Sequence, residues 1–238
     1  MSQKKNNTQP IRIKHEVPKT LEDHAFFGLK LDPEQTKFRD AIWKPENKII
    51  FVNAKAGTGK TLLAVACGTL LVRYGLYDQM VYLTAAGSRE AIQGFLPGSL
   101  SEKSMPYRMA LYQGLVSIGE DPERVIRHDD LSAPKDDEAF VIALSNSYIR
   151  GVNIKNSVYI IDEAQNFDTE NLMTALSRVD DNSKVIVIGH DGQVDMAQKS
   201  NSGFTRFLEH FRDREFAEIC TLSVNHRGQV SQWADELK

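Results

Sequence analysis

One eight-residue segment has the residue types and spacing of a phosphate-binding loop: AKAGTGKT, Ala54–Thr61. In such loops, glycines let backbone N–H groups curl around a phosphate where a side chain would collide. Gly57 and Gly59 meet that need. Lys60 would reach the β- and γ-phosphates, and the hydroxyl of Thr61 would bind Mg²⁺. The residues predicted to bind the nucleotide are Ala54, Lys55, Ala56, Gly57, Thr58, Gly59, Lys60 and Thr61.

The flanking sequence supports this interpretation. The loop follows the apolar run Lys48–Asn53 (KIIFVN) and precedes a helical pattern, which is the order that a phosphate loop requires. The helix would direct its positive N-terminus at the same phosphate. The consensus loop begins with glycine where this chain has Ala54, which is tolerable if the backbone there keeps a negative φ.

A pair of adjacent carboxylates ends a second apolar strand pattern, SVYIIDEAQ, Ser157–Gln165. Asp162 would hold Mg²⁺ through water, while Glu163 would orient and deprotonate an attacking water molecule. The alternative is a solvated acid pair at the end of a strand. Because a protein that only binds nucleotide has no use for the second acid, the two motifs together predict an ATPase.

A third polar position follows the run Lys184–Gly189 (KVIVIG). In this type of sheet, a polar residue at that strand end lies between the two motifs and can sense the γ-phosphate. Gln193 is the candidate, and a loop amide without such a contact is the alternative. His190 is interpreted as a loop histidine, with a contact to the site as the alternative.

Five short runs rich in β-branched and aromatic residues predict strands that are covered on both faces. They are Lys48–Asn53, Met80–Thr84, Ser157–Ile161, Lys184–Gly189 and Glu218–Val224. Helical patterns cover Thr61–Tyr74 and Asn171–Arg178, the second after a candidate N-cap at Asp168. The alternation predicts an α/β fold with a mainly parallel sheet flanked by helices. Such sheets bind ligands beyond the carboxyl ends of their strands.

Two stretches interrupt this alternation. Gly94–Met105 predicts an ordered loop or insertion, and the acidic segment Asp129–Glu138 predicts a solvated loop. Between them, a helix is predicted over Pro106–Gly119, because proline is favoured in the first turn of a helix.

The composition is that of a globular protein. Of the 238 residues, 41% are hydrophobic and 26% are charged, and the net charge is −3, so nucleic-acid binding would require a local basic patch. No apolar run approaches the roughly 20 residues that cross a bilayer, and the N-terminus lacks the apolar core of a secretory signal. Cys67 and Cys220 are interpreted as buried apolar side chains. We therefore expect a cytoplasmic protein without membrane contact.

The chain divides into two predicted segments. Residues 1–20 carry five basic residues against Glu16 alone and predict a basic flexible tail, with a phosphate-binding arm as the alternative. Residues 21–238 predict a single ATPase domain.

These motifs resemble the PhoH family of ATPases, which is similar to the first motor domain of superfamily-one helicases. The resemblance extends from Leu31 to the C-terminus and is carried by AGTGKT, GFLPGSLSEKSMPY, IIDEAQN and LSRVDDNSKVIVIG, with Gln193 and Asp195. It implies a three-layer, RecA-like phosphate-loop NTPase core that uses ATP and Mg²⁺. It also matches Gln35 to a glutamine that reads adenine, although Gln35 could equally be a surface residue of an amphipathic helix.

Three positions depart from the family pattern. The run Ala85–Gly87 is one residue shorter than the family's segment, and Arg89 is displaced. A family Gly-Asp pair reads Gly189–His190. A family Arg-His pair reads Asn225–Arg227, where Arg227 would replace the family arginine at the γ-phosphate. We still expect the chain to bind ATP despite these departures. Its rate of hydrolysis is the property that they put in question.

Because the ATPase core accounts for residues 21–238, we expect no appended nuclease domain and no second motor domain. The resemblance then implies a homo-oligomer, with a hexameric ring favoured, in which a neighbour's arginine completes the site. The candidates are Arg150, Arg178 and Arg227, each of which could instead form a surface salt bridge.

Single-stranded RNA is a candidate partner. Helicase-like relatives hold single strands with stacking aromatic and basic side chains. In this chain the candidates are Phe95, Lys103, Tyr107 and Arg108. The alternative is that this segment forms a hydrophobic plug or a subunit contact.

The leading hypothesis is therefore a Mg²⁺-dependent ATPase. A nucleotide-gated binding protein with little hydrolysis is the second. A small-molecule kinase is disfavoured, because a glutamate directly after the Mg²⁺-binding aspartate indicates water as the nucleophile.

Overall fold

The computed structural model describes residue 13 and residues 16–22, 26–85, 100–127, 139–145, 154–192 and 202–235. The helices are α1 (Pro33–Trp43), α2 (Lys60–Arg73), α3 (Leu100–Ser117), α4 (Pro122–Val125), α5 (Thr169–Leu176), α6 (Phe204–Phe211) and α7 (Gln229–Asp235). The strands are β1 (Ile49–Ala54), β2 (Gln79–Thr84), β3 (Val141–Ser145), β4 (Ser157–Asp162), β5 (Lys184–Gly189) and β6 (Ala217–Leu222). A 3₁₀ turn, Ala164–Asn166, follows β4.

The six strands form one sheet in the order β3-β2-β4-β5-β1-β6, and every neighbouring pair is parallel. This confirms the predicted α/β class. Since all strands run the same way, the residues that follow β1, β4 and β5 meet at one edge of the sheet. β5 lies between the phosphate-loop strand β1 and the acidic strand β4, so His190 lies between the two motifs.

Side chains alternate between the two faces of the sheet, as the twofold period of a strand requires. In β1, Ile50 and Val52 join a core with α1, α2 and α3, whereas Ile49 and Phe51 join a second core with α5 and α6. The chain therefore forms three layers, helix, sheet and helix. Cys67 and Cys220 are both buried in the first core, and burial raises the pKa of each thiol.

A buried lysine connects the sheet to α1 by hydrogen bonds. Lys184, at the start of β5, is 0% exposed, and its ammonium group donates to the carbonyls of Ile42 (2.7 Å) and Lys44 (2.6 Å) at the end of α1. Burial lowers the pKa of Lys184 to about 8, and the nearby charge of Lys48 contributes to this shift. These two bonds fix the position of α1, whose other end reaches the phosphate loop.

The predicted elements match the structure except at β3, at the start of α3 and in the predicted loop Gly94–Met105, which is helical from Leu100. All five predicted strands are present, but β3 was not predicted. Its run Val141–Ser145 has only five residues, so the spacing of its apolar side chains does not distinguish a strand from a helix. The predicted helix start at Pro106 is wrong, because α3 begins at Leu100. Proline inside a helix lacks the N–H that would bond to the preceding turn, so it is a poor marker of a helix start here.

Several predicted segments lie partly or wholly outside the described residues. The predicted loop Gly94–Met105 is helical from Leu100 onward, and its residues 94–99 lie outside, as do residues 129–138. In the predicted tail, Ile13 donates its N–H to the carbonyl of Arg73 (2.7 Å), and Trp43 donates to the carbonyl of Pro18 (2.9 Å). The division at residue 21 stays a prediction. Within the described part of the chain, no helix has the length and apolar character needed to cross a membrane.

Candidate active site

The phosphate loop connects the end of β1 to the start of α2. Ala54 is the last residue of β1, is 1% exposed and has a negative φ, which is the condition for alanine at that position. Gly57 and Gly59 both have φ +79°, a left-handed conformation that glycine adopts without strain. The loop ends at the N-terminus of α2, whose first backbone N–H groups can therefore bind an anion held in the loop.

Two side chains of the loop bond back to its own backbone. The hydroxyl of Thr58 donates to the carbonyl of Lys55 (3.0 Å), and the ammonium group of Lys60 donates to the same carbonyl (3.4 Å). The bond from Lys60 is long, so the ammonium group can move to an incoming phosphate at little cost.

The two predicted metal ligands lie in direct contact. The hydroxyl of Thr61 donates to Oδ2 of Asp162 over 2.9 Å, although the two residues are 101 positions apart in the sequence. Asp162 is 1% exposed. Hydroxyl and carboxylate oxygens are the donors that Mg²⁺ prefers, so the residues present fit that ion. Among the described residues there is no cluster of three or more His, Cys, Asp or Glu side chains that could hold a metal ion. A Mg²⁺ here would therefore take further ligands from phosphates and water.

Asp162 is held by two further hydrogen bonds. The hydroxyl of Tyr82 in β2 donates to Oδ2 (2.6 Å), and the backbone N–H of Glu163 donates to Oδ1 (2.9 Å). Burial raises the pKa of Tyr82 well above its usual value, and the negative charge of Asp162 raises it further. Tyr82 therefore stays protonated and keeps its donor directed at the carboxylate. No motif identifies this tyrosine, since it lies within an ordinary apolar strand.

Glu163 has an unusual backbone. Its φ of +52° and ψ of +40° place a non-glycine residue in the left-handed region, which costs about 1 kcal/mol or more. This turn directs the chain out of β4 and leaves Glu163 lining the same cavity as Lys60 and Thr61. Its carboxylate also accepts a hydrogen bond from the side-chain amide of Gln165. The candidate catalytic carboxylate thus lies beside the candidate phosphate site.

The end of β5 is tied to both neighbouring strands. The backbone N–H of His190 donates to Oε1 of Gln165 (3.1 Å), and Asn53 of β1 exchanges two hydrogen bonds with Asp191 (2.9 and 3.3 Å). The ring of His190 accepts the N–H of Gly192 (3.2 Å), as expected for a loop histidine. Gln193 lies outside the described residues, so its role at the γ-phosphate stays a prediction.

A cavity of about 550 Å³ opens beside the phosphate loop. Its lining includes Lys60, Thr61 and Glu163, together with Leu29–Leu31 and residues of α3. The residues of α3 that line it are Ala110, Gln113, Gly114 and Ser117. A cavity of this size is in the range of small-molecule sites.

Gln35 lines this cavity and contacts the phosphate loop. It is 7% exposed, so the interpretation as a surface residue is wrong. Its amide nitrogen donates to the carbonyl of Thr58 (3.0 Å), and its amide oxygen accepts the N–H of Asp32 (3.1 Å) in a capping box at the start of α1. Gln35 therefore bonds directly to the backbone of the phosphate loop. Its contact with adenine stays a prediction.

The segment after β6 packs against the phosphate loop. The N–H of His226 donates to the carbonyl of Gly57 (2.8 Å), and its ring bonds to the carboxylate of Asp32 (2.8 Å). The burial of Asp32 would raise its pKa, but hydrogen bonds from Gln35 and His226 lower it overall. A side chain on Gly57 would place Cβ only 2.4 Å from Oδ1 of Asn225. The glycine is therefore required by this contact as well as by its conformation.

The three arginines that are candidates to complete the nucleotide site lie in different parts of the molecule. Arg227 is exposed and lines the cavity. Arg178 lines a different open pocket, with Lys155 and Asp180, at the amino ends of β4 and β5. It therefore lies at the end of the sheet opposite the phosphate loop. Arg150 lies outside the described residues.

The segment expected to contact RNA is described only in part. The guanidinium group of Arg108 donates to the carbonyl of Ala143 in β3 (3.2 Å), so this arginine contributes to the packing of α3. Phe95 lies outside the described residues, as do the side chains of Lys103 and Tyr107.

One family model matches most of the chain. The family model of the PhoH-like protein matches residues 30–235, which include the phosphate loop, Asp162, Glu163 and Arg227. The chain belongs to the PhoH-like protein family.

This PhoH-like chain is 33% identical over 205 residues to the PhoH-like protein of Mycobacterium leprae, covering 84% of this chain and 56% of that protein. It is 28% identical over 227 residues to protein PhoH2 of Bacillus subtilis, covering 91% of this chain and 49% of that protein. The chain thus spans about half the length of these relatives.

Two solved structures share the fold. The large terminase of bacteriophage HK97 superposes with a TM-score of 0.52 at 14% identity, covering 87% of this chain and 42% of that one. The large terminase of a thermophilic bacteriophage superposes with a TM-score of 0.53 at 13% identity, covering 87% of this chain and 50% of that one. At this identity the likeness concerns the fold alone, which is a RecA-like phosphate-loop core.

Sequence reasoning missed the residues that support the site from a distance. They are Asn53, Tyr82, Gln165, Asn225 and His226. Gln165 lies just after the acidic pair, and Asn225 and His226 lie where the family has its Arg-His pair, but neither motif indicates these contacts. The others act through contacts with residues that are far away along the chain.

Proposed function

We propose that this chain binds ATP with Mg²⁺ and hydrolyses it. The observation that supports this most strongly is the contact of Thr61 with Asp162, which brings the phosphate loop and the acidic strand together with Glu163 at the edge of one cavity. A nucleotide held in the loop would present its γ-phosphate toward the ends of β4 and β5.

The chain's own residues supply the parts that hydrolysis needs. The backbone of the loop and Lys60 bind the β- and γ-phosphates, and Thr61 and Asp162 hold Mg²⁺, which neutralises charge on the phosphate oxygens. Glu163 orients a water molecule in line with the γ-phosphorus and accepts its proton. Arg227 lies at the cavity and stabilises the negative charge that develops on the γ-phosphoryl group.

The finer parts of the proposal concern partners. We propose that the chain works as a homo-oligomer, with a hexameric ring favoured, and that Arg178 of one chain can complete the site of its neighbour. Single-stranded RNA is the proposed polymer. Arg178 lies at the end of the sheet opposite the phosphate loop, so it cannot complete the site of its own chain. Sedimentation with ATP and Mg²⁺ that gives only a monomer would contradict the ring.

A nucleotide-gated binding protein with little hydrolysis is the second candidate. Its support is the direct contact of the segment after β6 with Gly57, since a phosphate that shifts the loop would also shift α7. That helix carries Val230 and Trp233, whose exposed fractions are 82% and 67%, and could present them to a partner.

The test is steady-state ATP turnover at physiological salt, with and without single-stranded RNA. Glu163→Gln is the blank, and Glu215→Gln, the same change at an exposed position, is the matched control. We expect Glu163→Gln to lower turnover about 100-fold or more and Glu215→Gln to leave it unchanged. Stimulation by RNA that Glu163→Gln abolishes would support the RNA proposal, and turnover indifferent to RNA would contradict it. Equal turnover in wild type and Glu163→Gln would contradict the catalytic assignment.

A further inference from the structure

Gln165 joins the ends of two neighbouring strands beside the site. It lies in the 3₁₀ turn that follows β4 and is only 3% exposed. Its amide nitrogen donates to Oε2 of Glu163, and its amide oxygen accepts the backbone N–H of His190 over 3.1 Å. The side chain therefore spans from the end of β4 to the end of β5, and both of its polar atoms are used.

These two partners fix the orientation of the amide. A backbone N–H can only donate, so His190 requires the amide oxygen of Gln165 on its side. The amide nitrogen then faces Glu163 and donates to its carboxyl oxygen Oε2. A flipped amide would place two donors together at His190 and two acceptors together at Glu163. The direction of the bond is thus set by chemistry.

The end of β5, where His190 donates to Gln165, is also bonded to β1. The residue after His190, Asp191, exchanges two hydrogen bonds with Asn53 of β1. Gln165 consequently connects the carboxylate of Glu163 to a strand end that is tied to the phosphate-loop strand.

A carboxylate that accepts a proton from water needs such support. The backbone of Glu163 is in the left-handed region, and its side chain has three rotatable bonds, so its own covalent geometry does not aim the carboxylate. A bond to Oε2 restrains those rotations and thereby fixes the direction in which Oε1 points. The contribution of a positioned base falls steeply when the reacting groups are displaced by about 1 Å.

We propose that Gln165 is a positioning residue that holds the carboxylate of Glu163 in the orientation needed to activate water. This rests on the proposed ATPase function. Gln165 is not among the residues that line the cavity, and its effect is exerted entirely through Glu163.

The test is a double-mutant cycle measured by single-turnover hydrolysis together with the ATP dissociation constant. Gln165→Met keeps the length of the side chain and removes both hydrogen bonds. We expect it to slow hydrolysis about ten- to hundred-fold while the ATP dissociation constant and KM stay unchanged. In the Glu163→Gln background it should have no further effect, because the group it positions is already absent. Gln79→Met, the same change at the amino end of β2, is the matched control and should leave the rate unchanged.

A second variant covers the case in which Gln165→Met fails to fold. Gln165→Glu keeps the acceptor for the N–H of His190 but puts a second carboxylate in place of the donor toward Glu163. The two like charges repel each other, so hydrolysis should slow by at least a similar factor. Wild-type rates in either folded variant would overturn the proposal. So would an equal loss of rate in both backgrounds, or a loss that is matched by weaker ATP binding. If wild type hydrolyses ATP and Glu163→Gln does not, the proposed function holds, and the rates of the Gln165 variants test only the role of Gln165. If wild type does not hydrolyse ATP, the proposed function itself fails.

Discussion

An alanine at position 57 should separate the two reasons for which the phosphate loop needs glycine there. Gly57 has φ +79°, and a Cβ would lie 2.4 Å from Oδ1 of Asn225. Gly119, after α3, has φ +80° but has nothing within 4 Å of a Cβ. The two glycines thus share the same backbone conformation and differ in what a methyl group would contact.

The magnitudes follow from this difference. Placing alanine in the left-handed conformation costs about 1–2 kcal/mol, and this is the whole cost expected for Gly119→Ala. In Gly57→Ala the side chain of Asn225 must also move. It would then lose the bond from the N–H of Arg227 (2.8 Å) and the bond to the hydroxyl of Ser231 (2.8 Å). At about 1 kcal/mol for each bond, Gly57→Ala should cost about 3–4 kcal/mol in total.

Urea unfolding followed by circular dichroism measures the free energy of unfolding of both variants. Asn225→Ala provides the rescue background, because it removes the atoms that the methyl group would meet. There, Gly57→Ala should cost only about 1–2 kcal/mol, which gives a coupling energy of about 2 kcal/mol. Equal costs at Gly57 and Gly119, or no coupling with Asn225, would refute the steric contact between the loop and the segment after β6.

Two further predictions concern buried polar groups. Tyr82→Phe removes a donor to Asp162 and should lower the free energy of unfolding by about 1 kcal/mol. It should also change the Mg²⁺ concentration for half-maximal turnover, and a magnesium titration indistinguishable from that of the control Tyr77→Phe would contradict this role. Lys184 has a pKa lowered by burial to about 8 from a usual 10.5, so the unfolded chain binds the proton more tightly. Stability should therefore rise between about pH 8 and pH 10.5, by up to about 3 kcal/mol relative to Lys184→Met. Urea unfolding at several pH values checks this, and a parallel pH dependence of the two proteins would contradict it.

The parts of the site that lie on contiguous residues could be predicted from the sequence. The phosphate loop is one run of residues between a strand and a helix, so its glycines, Lys60 and Thr61 could be assigned without a structure. Asp162 and Glu163 could be assigned because an apolar strand ends directly at them. Since all strands are parallel, these two motifs had to meet at one edge of the sheet.

The supporting contacts could not be predicted, because they join residues far apart along the chain. Tyr82 and Asp162 are 80 positions apart, and Gln165 and His190 are 25 apart. No period or motif in a strand such as β2 identifies which of its side chains will face a carboxylate on the next strand. The contact of Asn225 with Gly57 likewise depends on β6 lying beside β1, which the order of elements along the chain does not specify.

Two errors in the predicted helices and strands have causes in the local sequence. The run Val141–Ser145 is short and apolar, which fits a strand and a helix equally well. Pro106 was interpreted as a first-turn residue, yet α3 extends six residues before it, so packing of the helix outweighs the lost backbone bond.

The most direct test of the central claim is single-turnover chemistry with protein in excess over ATP and with Mg²⁺ present. The bound nucleotide is separated into ATP and ADP at successive times for wild type and for Glu163→Gln. We predict that wild type converts the bound ATP to ADP, while Glu163→Gln binds ATP equally tightly and converts it at least about 100-fold more slowly. Equal conversion by both proteins would contradict the role of Glu163, and bound ATP that wild type leaves intact would contradict the ATPase itself.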